Sequence, residues 1–335
     1  MKIEKELKRM SLGNTLIIRP GALGDAILTL PALHSLRLSG ARELNILGTP
    51  VSWSFLRPSA DVALRVHDFS SPAWLGLFAE GAPLSPVARE LLSRIQTAIV
   101  YLSGDTSVLQ RAFKSAGIKT IICSSPPIAS TASGSHAAEL LLEPIRTLTS
   151  AEHAQQALRI ADQSDDPLIA LSEEELIRAK AELSALGCAR FCAIHPGSGG
   201  RTKCWPASNF AELALKLPER GLTPLIFFGP ADKAVKDELE RAMYSAPSTQ
   251  HSALAVVSRP LREVLALLSC CEGYIGNDSG LTHLAARACP TLALFGPTDP
   301  AVWAPLGKNV RVLRAPGGDL RALDVNTVRN AVCGL

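Results

Sequence analysis

The sequence is poor in charge and in aromatic rings, and it lacks several signatures that would decide its class at once. Asp, Glu, Lys and Arg make up 19% of the residues and Phe, Trp and Tyr 5%, with a net charge of +3 and no basic block. A dedicated nucleic-acid surface needs clustered cations interleaved with aromatics, so no nucleic-acid partner is expected. The eight cysteines (123, 188, 192, 204, 270, 271, 289 and 333) form no C-x-x-C pair and have no clustered histidines. That disfavours a zinc site, and settings such as Ile121-Ile122-Cys123 suit reduced core thiols. No apolar run approaches the roughly 20 residues of a membrane span. Lys2, Lys5, Lys8 and Arg9 precede Leu16-Ile17-Ile18, but Arg19 ends that run too early for a signal peptide. A cytoplasmic protein is the expectation.

What is present is a hydrophobic fraction of 47% over 335 residues. At roughly 150 residues per domain that is about two domains, each long enough to bury a core. Short apolar runs alternate with longer amphipathic segments. The pattern predicts strands at Thr15–Arg19, Glu43–Leu47, Thr97–Leu102 and Thr120–Cys123, then at Arg190–His195, Thr223–Phe228, Gly273–Gly276, Pro290–Phe295 and Val310–Leu313. Helices are predicted at Ser85–Ile95, Glu173–Leu186, Asn209–Leu217, Lys233–Met243 and Leu261–Ser269. Non-alternating apolar strands between helices mark buried parallel sheets, so the class is α/β. The segment Ser150–Pro167, ending in Gln163-Ser164-Asp165-Asp166-Pro167, is the linker candidate, and Ser172 with Glu175 forms a capping box that opens the next helix. This gives domains over 1–165 and 166–335. The closing helix, Leu323–Val332, is capped by Asp324 or Asn326 and is a candidate to pack back on the first domain. Ligands of open parallel sheets bind beyond the carboxyl ends of the strands, so a site shared by two such sheets would lie in the cleft.

Three strand-to-helix junctions carry chemistry. The first is Arg19-Pro20-Gly21-Ala22-Leu23-Gly24-Asp25, leading into Ala26–Leu38, where Pro31 predicts a kink. Glycines at 21 and 24 permit a tight turn and close backbone approach. The dinucleotide fingerprint G-x-G-x-x-G is absent, which counts against an NAD-dependent oxidoreductase. Asp25 is either a helix cap or a carboxylate free to act as a general base. The second junction is His195-Pro196-Gly197-Ser198-Gly199-Gly200-Arg201-Thr202-Lys203-Cys204-Trp205-Pro206. Glycines, hydroxyls and cations after a buried strand are what a phosphate cradle uses, although the spacing is not that of a Walker A loop. A flexible surface loop is the bland alternative, which Trp205-Pro206 makes less attractive by anchoring its end. The third is Gly276-Asn277-Asp278-Ser279-Gly280-Leu281-Thr282-His283, followed by Phe295-Gly296-Pro297-Thr298-Asp299-Pro300. It offers hydroxyl and backbone donors for a diphosphate. Ser279 and His283 lie four apart, but without a G-x-S-x-G elbow that spacing is more simply helical periodicity, and His283 either braces the loop or touches ligand. No D-x-D occurs, so a metal-bridged diphosphate is disfavoured and Lys203 would meet the leaving charge.

Taken together the text resembles glycosyltransferase family 9, the family of the ADP-heptose:lipopolysaccharide heptosyltransferases. The matching stretches are IIRPGALGDAILTLPALHSLR, AIHPGSGGRTKCWPASNFAEL, LIFFGPADK and YIGNDSGLTHLAARACPTLALFGPTDP, in order and with a His136–Leu148 helix before the linker. The resemblance implies a GT-B fold, two Rossmann-like domains with parallel sheets facing across a cleft, acceptor on the first and nucleotide sugar on the second. It implies inverting transfer of a heptose or related sugar from an ADP-sugar to a lipopolysaccharide-core or similar lipid-linked glycan, with no cofactor and no metal. Asp25 takes the place of the family's general base, and Arg19 and Gly24 fall on the acceptor side. Ser198, Gly199 and Lys203 fall at the phosphate turn, and Asp278, Ser279, Gly280 and Leu281 at the pyrophosphate element, with His283 beside it. Asp232 is the nearest candidate for the ribose-binding acid, and Arg259 stands where an apolar residue near the base is usual. An acceptor on a lipid implies at most peripheral contact with the inner face of the membrane. A sugar-nucleotide epimerase or hydrolase of the same fold, and a non-catalytic nucleotide-sugar binder, are the alternatives.

Overall fold

The computed structural model describes residues 12–57, 62–127, 134–163, 166–244, 254–257 and 259–332. The basic stretch Lys2–Arg9, Ser164, Asp165 and Cys333 lie outside the described residues. The chain divides into two compact units, Met1–Ala161 with Asp165–Ile169, and Asp162–Ser164 with Ala170–Leu335.

The first unit is built on a parallel sheet of β1 (Gly13–Ile18), β2 (Ala41–Gly48), β3 (Ala63–Asp68), β4 (Thr97–Tyr101) and β5 (Thr120–Ser124), in the order β3-β2-β1-β4-β5. Strands leave β1 on both sides, which puts the topological switch at its carboxyl end, where Arg19 to Asp25 follow. Leu16, Ile18, Ala98 and Val100 on one face pack under Leu92 and Phe113 of the helices Pro86–Leu92 and Ser107–Ser115. Near-complete burial of β1 and β4 explains why their sequences read as continuous apolar runs.

The second unit carries β6 (Phe191–His195), β7 (Thr223–Phe228), β8 (Leu254–Val257), β9 (Gly273–Asn277), β10 (Thr291–Phe295) and β11 (Val310–Arg314), all parallel, in the order β11-β10-β9-β6-β7-β8. Here the switch lies between β6 and β9, so the loops after His195 and Asn277 flank one crevice. Ile194, Ile226, Ile275 and Leu292 share a core with Phe210 and Leu213, Leu239, and Val328 of three helices, Ala207–Lys216, Lys233–Tyr244 and Val325–Val332. The last helix thus buries Val328, Ala331 and Val332 in the second unit's own core, after Asp324 accepts the Thr327 N–H at 3.0 Å as its cap.

The linker expectation is corrected. Ser150–Pro167 contains the helix Ala151–Ala161, whose Ala154, Ala157 and Ala161 are buried and which packs on the helix Leu30–Leu38. His153 Nδ1 lies 2.8 Å from Ser39 Oγ across that seam. Alanines at i, i+3 and i+7 make a close-packing stripe that the polar tail after it obscures. Residues 166–169 also stay with the first unit, because buried His34 Nε2 lies 2.9 Å from Asp166 Oδ1 and Arg57 N–H donates to Leu168 O at 2.7 Å. The chain thus passes between the units over residues 162–170, on both sides of the expected boundary at 166.

Candidate functional site

In the first unit Arg19 directly follows β1 and is buried, with its Nη2 donating to Asp25 Oδ1 at 2.8 Å and its Nε lying 3.4 Å from Thr29 Oγ1. Burial pulls the guanidinium below its usual value and Asp25 works against that shift. Asp25 sits in the first turn of the helix Leu23–Leu28, its Oδ2 accepting the Ala22 N–H at 3.0 Å. The cap expectation for Asp25 is met by the Ala22 N–H, and its side chain, paired with Arg19, is 38% exposed. Gly21 has φ +141°, and a Cβ there would meet Asp25 Oδ2 at 2.6 Å, so the turn requires glycine. Gly24 lies partly exposed in the same helical turn. The predicted kink is a break: Thr29 separates Leu23–Leu28 from Leu30–Leu38, with Pro31 in the second helix's first turn, where its missing N–H costs nothing.

In the second unit the loops after β6 and β9 are stitched to each other. Asn277 at the end of β9 accepts the Trp205 N–H at 2.9 Å and donates to Pro196 O at 2.9 Å. Trp205 is fully buried, edge-on to Phe210 with centroids 4.9 Å apart, and its Nε1 donates to Leu323 O at 2.7 Å. The glycine-rich loop is thereby held at both ends. Between them Gly199 and Gly200 face open space, and Arg201–Lys203 forms a 3-10 turn.

Asp278 is the hub. Lys203 Nζ lies 3.1 Å from its Oδ2, Thr298 Oγ1 donates to the same oxygen at 2.8 Å, and Ser198 Oγ donates to its carbonyl at 2.6 Å. Two loops, those after β6 and β10, thus deliver a cation and two hydroxyls to Asp278 on a third, at one half-enclosed spot, Lys203 being 31% exposed. Ser279 caps the helix Gly280–Ala285, with Gly280 and Leu281 in its first turn and His283 buried on it. Ser279 Oγ also lies 3.3 Å from His195 Nδ1, and His195 Nε2 lies 3.0 Å from Asp232 Oδ2.

Two expectations change. Asp232, the candidate ribose acid, is buried and turned inward, accepting from His195 and from Gly229 N–H at 2.6 Å. Burial alone would raise its carboxyl; these donors outweigh it and hold the carboxyl below its ordinary value. Arg259 sits two residues before the helix Leu261–Ser269 and is tied to Glu182 at 2.8 Å and Glu263 at 3.3 Å. The structure does not bring it to Asp278. Conversely, Asn277, Thr298 and His195 stand within the motif stretches, but the sequence assigns them no role at the site. Their common signal is a polar side chain at or just past the carboxyl end of a buried strand. Among the described residues no three His, Cys, Asp or Glu side chains group as metal ligands.

The sequence matches the family described as Glycosyltransferase family 9 (heptosyltransferase) over residues 106–328. Lipooligosaccharide heptosyltransferase 2 of Haemophilus ducreyi is 28% identical over 163 residues, 46% of this chain and 46% of that protein. The chain spans about half the length of the curated relatives it matches. Among solved structures, Escherichia coli ADP-heptose lps heptosyltransferase II superposes with a TM-score of 0.70 at 22% identity, covering 95% of this chain and 98% of that one. The glycosyl transferase family 9 structure from Veillonella parvula gives a TM-score of 0.74 at 17% identity over 97% and 98%. These likenesses establish the α/β GT-B fold.

Proposed function

The chain belongs to glycosyltransferase family 9, and from that premise we propose that it is an inverting, metal-independent glycosyltransferase that moves a heptose, or a related sugar, from an ADP-sugar to a lipopolysaccharide-core or similar lipid-linked glycan. The observation that carries this reading is the meeting of Ser198, Lys203 and Thr298 at Asp278, at the switch point of the second unit's sheet. A nucleoside diphosphate arriving there offers Lys203 a stronger counter-charge than Asp278 alone, and at Gly199 and Gly200 no side chain crowds the backbone a phosphate would approach.

In the proposed reaction an acceptor hydroxyl oxygen attacks the anomeric carbon from the face opposite the diphosphate. Its proton passes to the Asp25 carboxylate, which Arg19 and the Ala22 N–H orient. The bond from the anomeric carbon to the diphosphate oxygen breaks, and ADP leaves with its new charge met by Lys203. Arg19 also brings a cation to the acceptor side. The relatives' names supply heptose and lipopolysaccharide, and a lipid-linked acceptor would be met at the membrane's inner face by peripheral contact; no helix among the described residues is long and apolar enough to cross a membrane.

The test is ADP release from ADP-heptose in the presence of lipopolysaccharide-core acceptor and EDTA. Asp25→Asn should lower kcat about 10²–10⁴-fold while leaving ADP binding intact. A variant that transfers at the wild-type rate would remove Asp25 as the base.

A further inference from the structure

The first unit holds a polar cavity of about 190 Å³ between the edge of its sheet and the helix Pro86–Leu92. Strands β2 and β3 form its floor. Asn45 on β2 stands beside Leu16 of β1 and Arg65 of β3, one pleat before Leu47, on the face whose members Leu16, Ile18 and Leu47 build the unit's core. An apolar residue is the expectation at such a place, and Asn45 is 1% exposed. A buried primary amide has an acceptor and two N–H donors to satisfy. Asn45 Oδ1 lies 2.8 Å from His67 Nε2 and is engaged there. Its Nδ2 has no partner among the described residues, and the side chain lines the cavity. Burial, and then the neighbouring Arg65, lower the His67 imidazole below its ordinary value, which keeps this wall uncharged at neutral pH.

The charged groups of the lining cancel in pairs. Arg65 Nε lies 2.8 Å from Glu43 Oε1 on the strands, and Arg94 Nη2 lies 2.7 Å from Glu90 Oε1 at the end of the helix. A phosphate, carboxylate or ammonium would have to break one of these pairs to bind. A hydroxyl, which donates and accepts, bonds to either member without doing so. Trp74 and Leu91 add an apolar wall. The indole is held in place, its Nε1 donating to Asp68 O at 2.8 Å and its ring edge-on to His67 with centroids 5.8 Å apart.

We propose that this cavity is a sugar-binding site that takes one neutral pyranose ring, with hydroxyls on Asn45 Nδ2 and the two ion pairs and a C–H face against Trp74 and Leu91. Its volume falls below the roughly 300–1,000 Å³ of pockets for drug-sized ligands, which leaves no room for a nucleotide. The site is separate from the Arg19–Asp25 turn: Asn45 pairs with Leu16, three residues before Arg19, or about 10 Å along the strand. The proposal concerns the first unit alone and does not depend on the transferase reading. A free monosaccharide and a sugar residue of a glycan share this chemistry.

The competing account is that Asn45 serves only to bond His67 and that the cavity holds nothing but solvent. Labelling with 15N-tryptophan gives separate indole N–H signals, and Trp74→Phe assigns that of Trp74. Methyl glycosides of glucose, galactose, mannose and heptose, and a lipopolysaccharide-core oligosaccharide, are titrated in turn. The proposal expects the Trp74 signal to move and to saturate with a Kd of about 1–10 mM, the strength open to so small a neutral ligand. Asn45→Leu suits the apolar face, so it should keep or raise the melting temperature while abolishing the shift. Under the competing account that variant changes stability alone. Val87→Phe narrows the cavity from a residue that is 56% exposed, and should raise the Kd at least about fivefold with an unchanged melting curve. A shift with the methyl glycosides supports a site open to free monosaccharides, and a shift with the oligosaccharide alone supports a glycan subsite. No shift with any probe at about 100 mM, ten times the weakest Kd expected, would overturn the proposal. So would a shift that persists in folded Asn45→Leu or, should that variant not fold, undiminished binding in Val87→Phe.

Discussion

Gly197→Ala is a one-methyl change that should destabilise the second unit, and its cost follows from one contact. The added methyl would stand 2.1 Å from Asp232 Oδ1 and 2.5 Å from its Cγ, well inside van der Waals contact. The carboxylate cannot retreat by roughly an ångström without stretching its bonds from His195 Nε2 at 3.0 Å or from Gly229 N–H at 2.6 Å. Hydrogen bonds to a buried charge contribute about 1.5–3 kcal/mol each, so losing one should destabilise the second unit by about 2 kcal/mol. Amide exchange measured by mass spectrometry reads this out unit by unit. Peptides over β6 and β7 should exchange about thirtyfold faster, while β1 and β4 in the first unit serve as the unchanged reference. Asp232→Ala supplies the second arm: once the carboxylate is gone the methyl has nothing to strike, so Gly197→Ala should then add little. Full additivity of the two substitutions, or exchange unchanged in Gly197→Ala, would refute the contact as the cause.

Acid should act at a defined place. Glu175 accepts from Ser172 N–H at 2.8 Å and from Arg262 Nε at 2.8 Å, and the Arg262 bonds above all hold its carboxyl at about 2, below the ordinary 4.5. A depressed carboxyl gives stability that is complete above the unfolded value and drains away as pH falls toward the folded one. Allowing for partial exposure, Glu175→Gln should cost about 1–2 kcal/mol at pH 7, and the gap to wild type in urea unfolding should shrink by more than half between pH 5 and 3. A gap constant over that range would contradict the assignment. Trp205→Phe removes the indole N–H from Leu323 O in a fully buried setting. It should lower stability by about 2–3 kcal/mol and speed amide exchange in the helix Val325–Val332, with thermal melting as the independent check.

The central strands and the cradle are legible in the amino-acid sequence because burial on both faces leaves an unbroken apolar signal in β1, β4, β6, β9 and β10. β3 carries no such signal, β8 carries it over only Leu254–Val257, and both are edge strands. Ala-Leu-Arg-Val-His-Asp of β3 carries charge on a half-exposed strand, and β8 is only four residues long. The helix Ala151–Ala161 is hidden by polarity, since its packing face is alanine and not a large hydrophobe. At the site, the sequence places Ser198, Lys203 and Asp278 near one another by motif, and the structure joins them by distance. It does not reveal that Asp232 turns inward, because the partner that claims it, His195, lies 37 residues earlier and meets it only through the pairing of β6 with β7.

The claim on which the account stands is a cradle in the second unit that takes an adenine nucleotide diphosphate through Lys203 and without a metal. The most direct measurement is the melting temperature with ADP, GDP, UDP, dTDP and NAD in turn, in EDTA, for wild type and Lys203→Ala. Ligand at 100 times its Kd adds about 2.7 kcal/mol, a shift readily seen. The account predicts a shift with ADP that Lys203→Ala abolishes. A response to NAD with silence from every diphosphate, or a shift with ADP that needs a divalent cation, would contradict it.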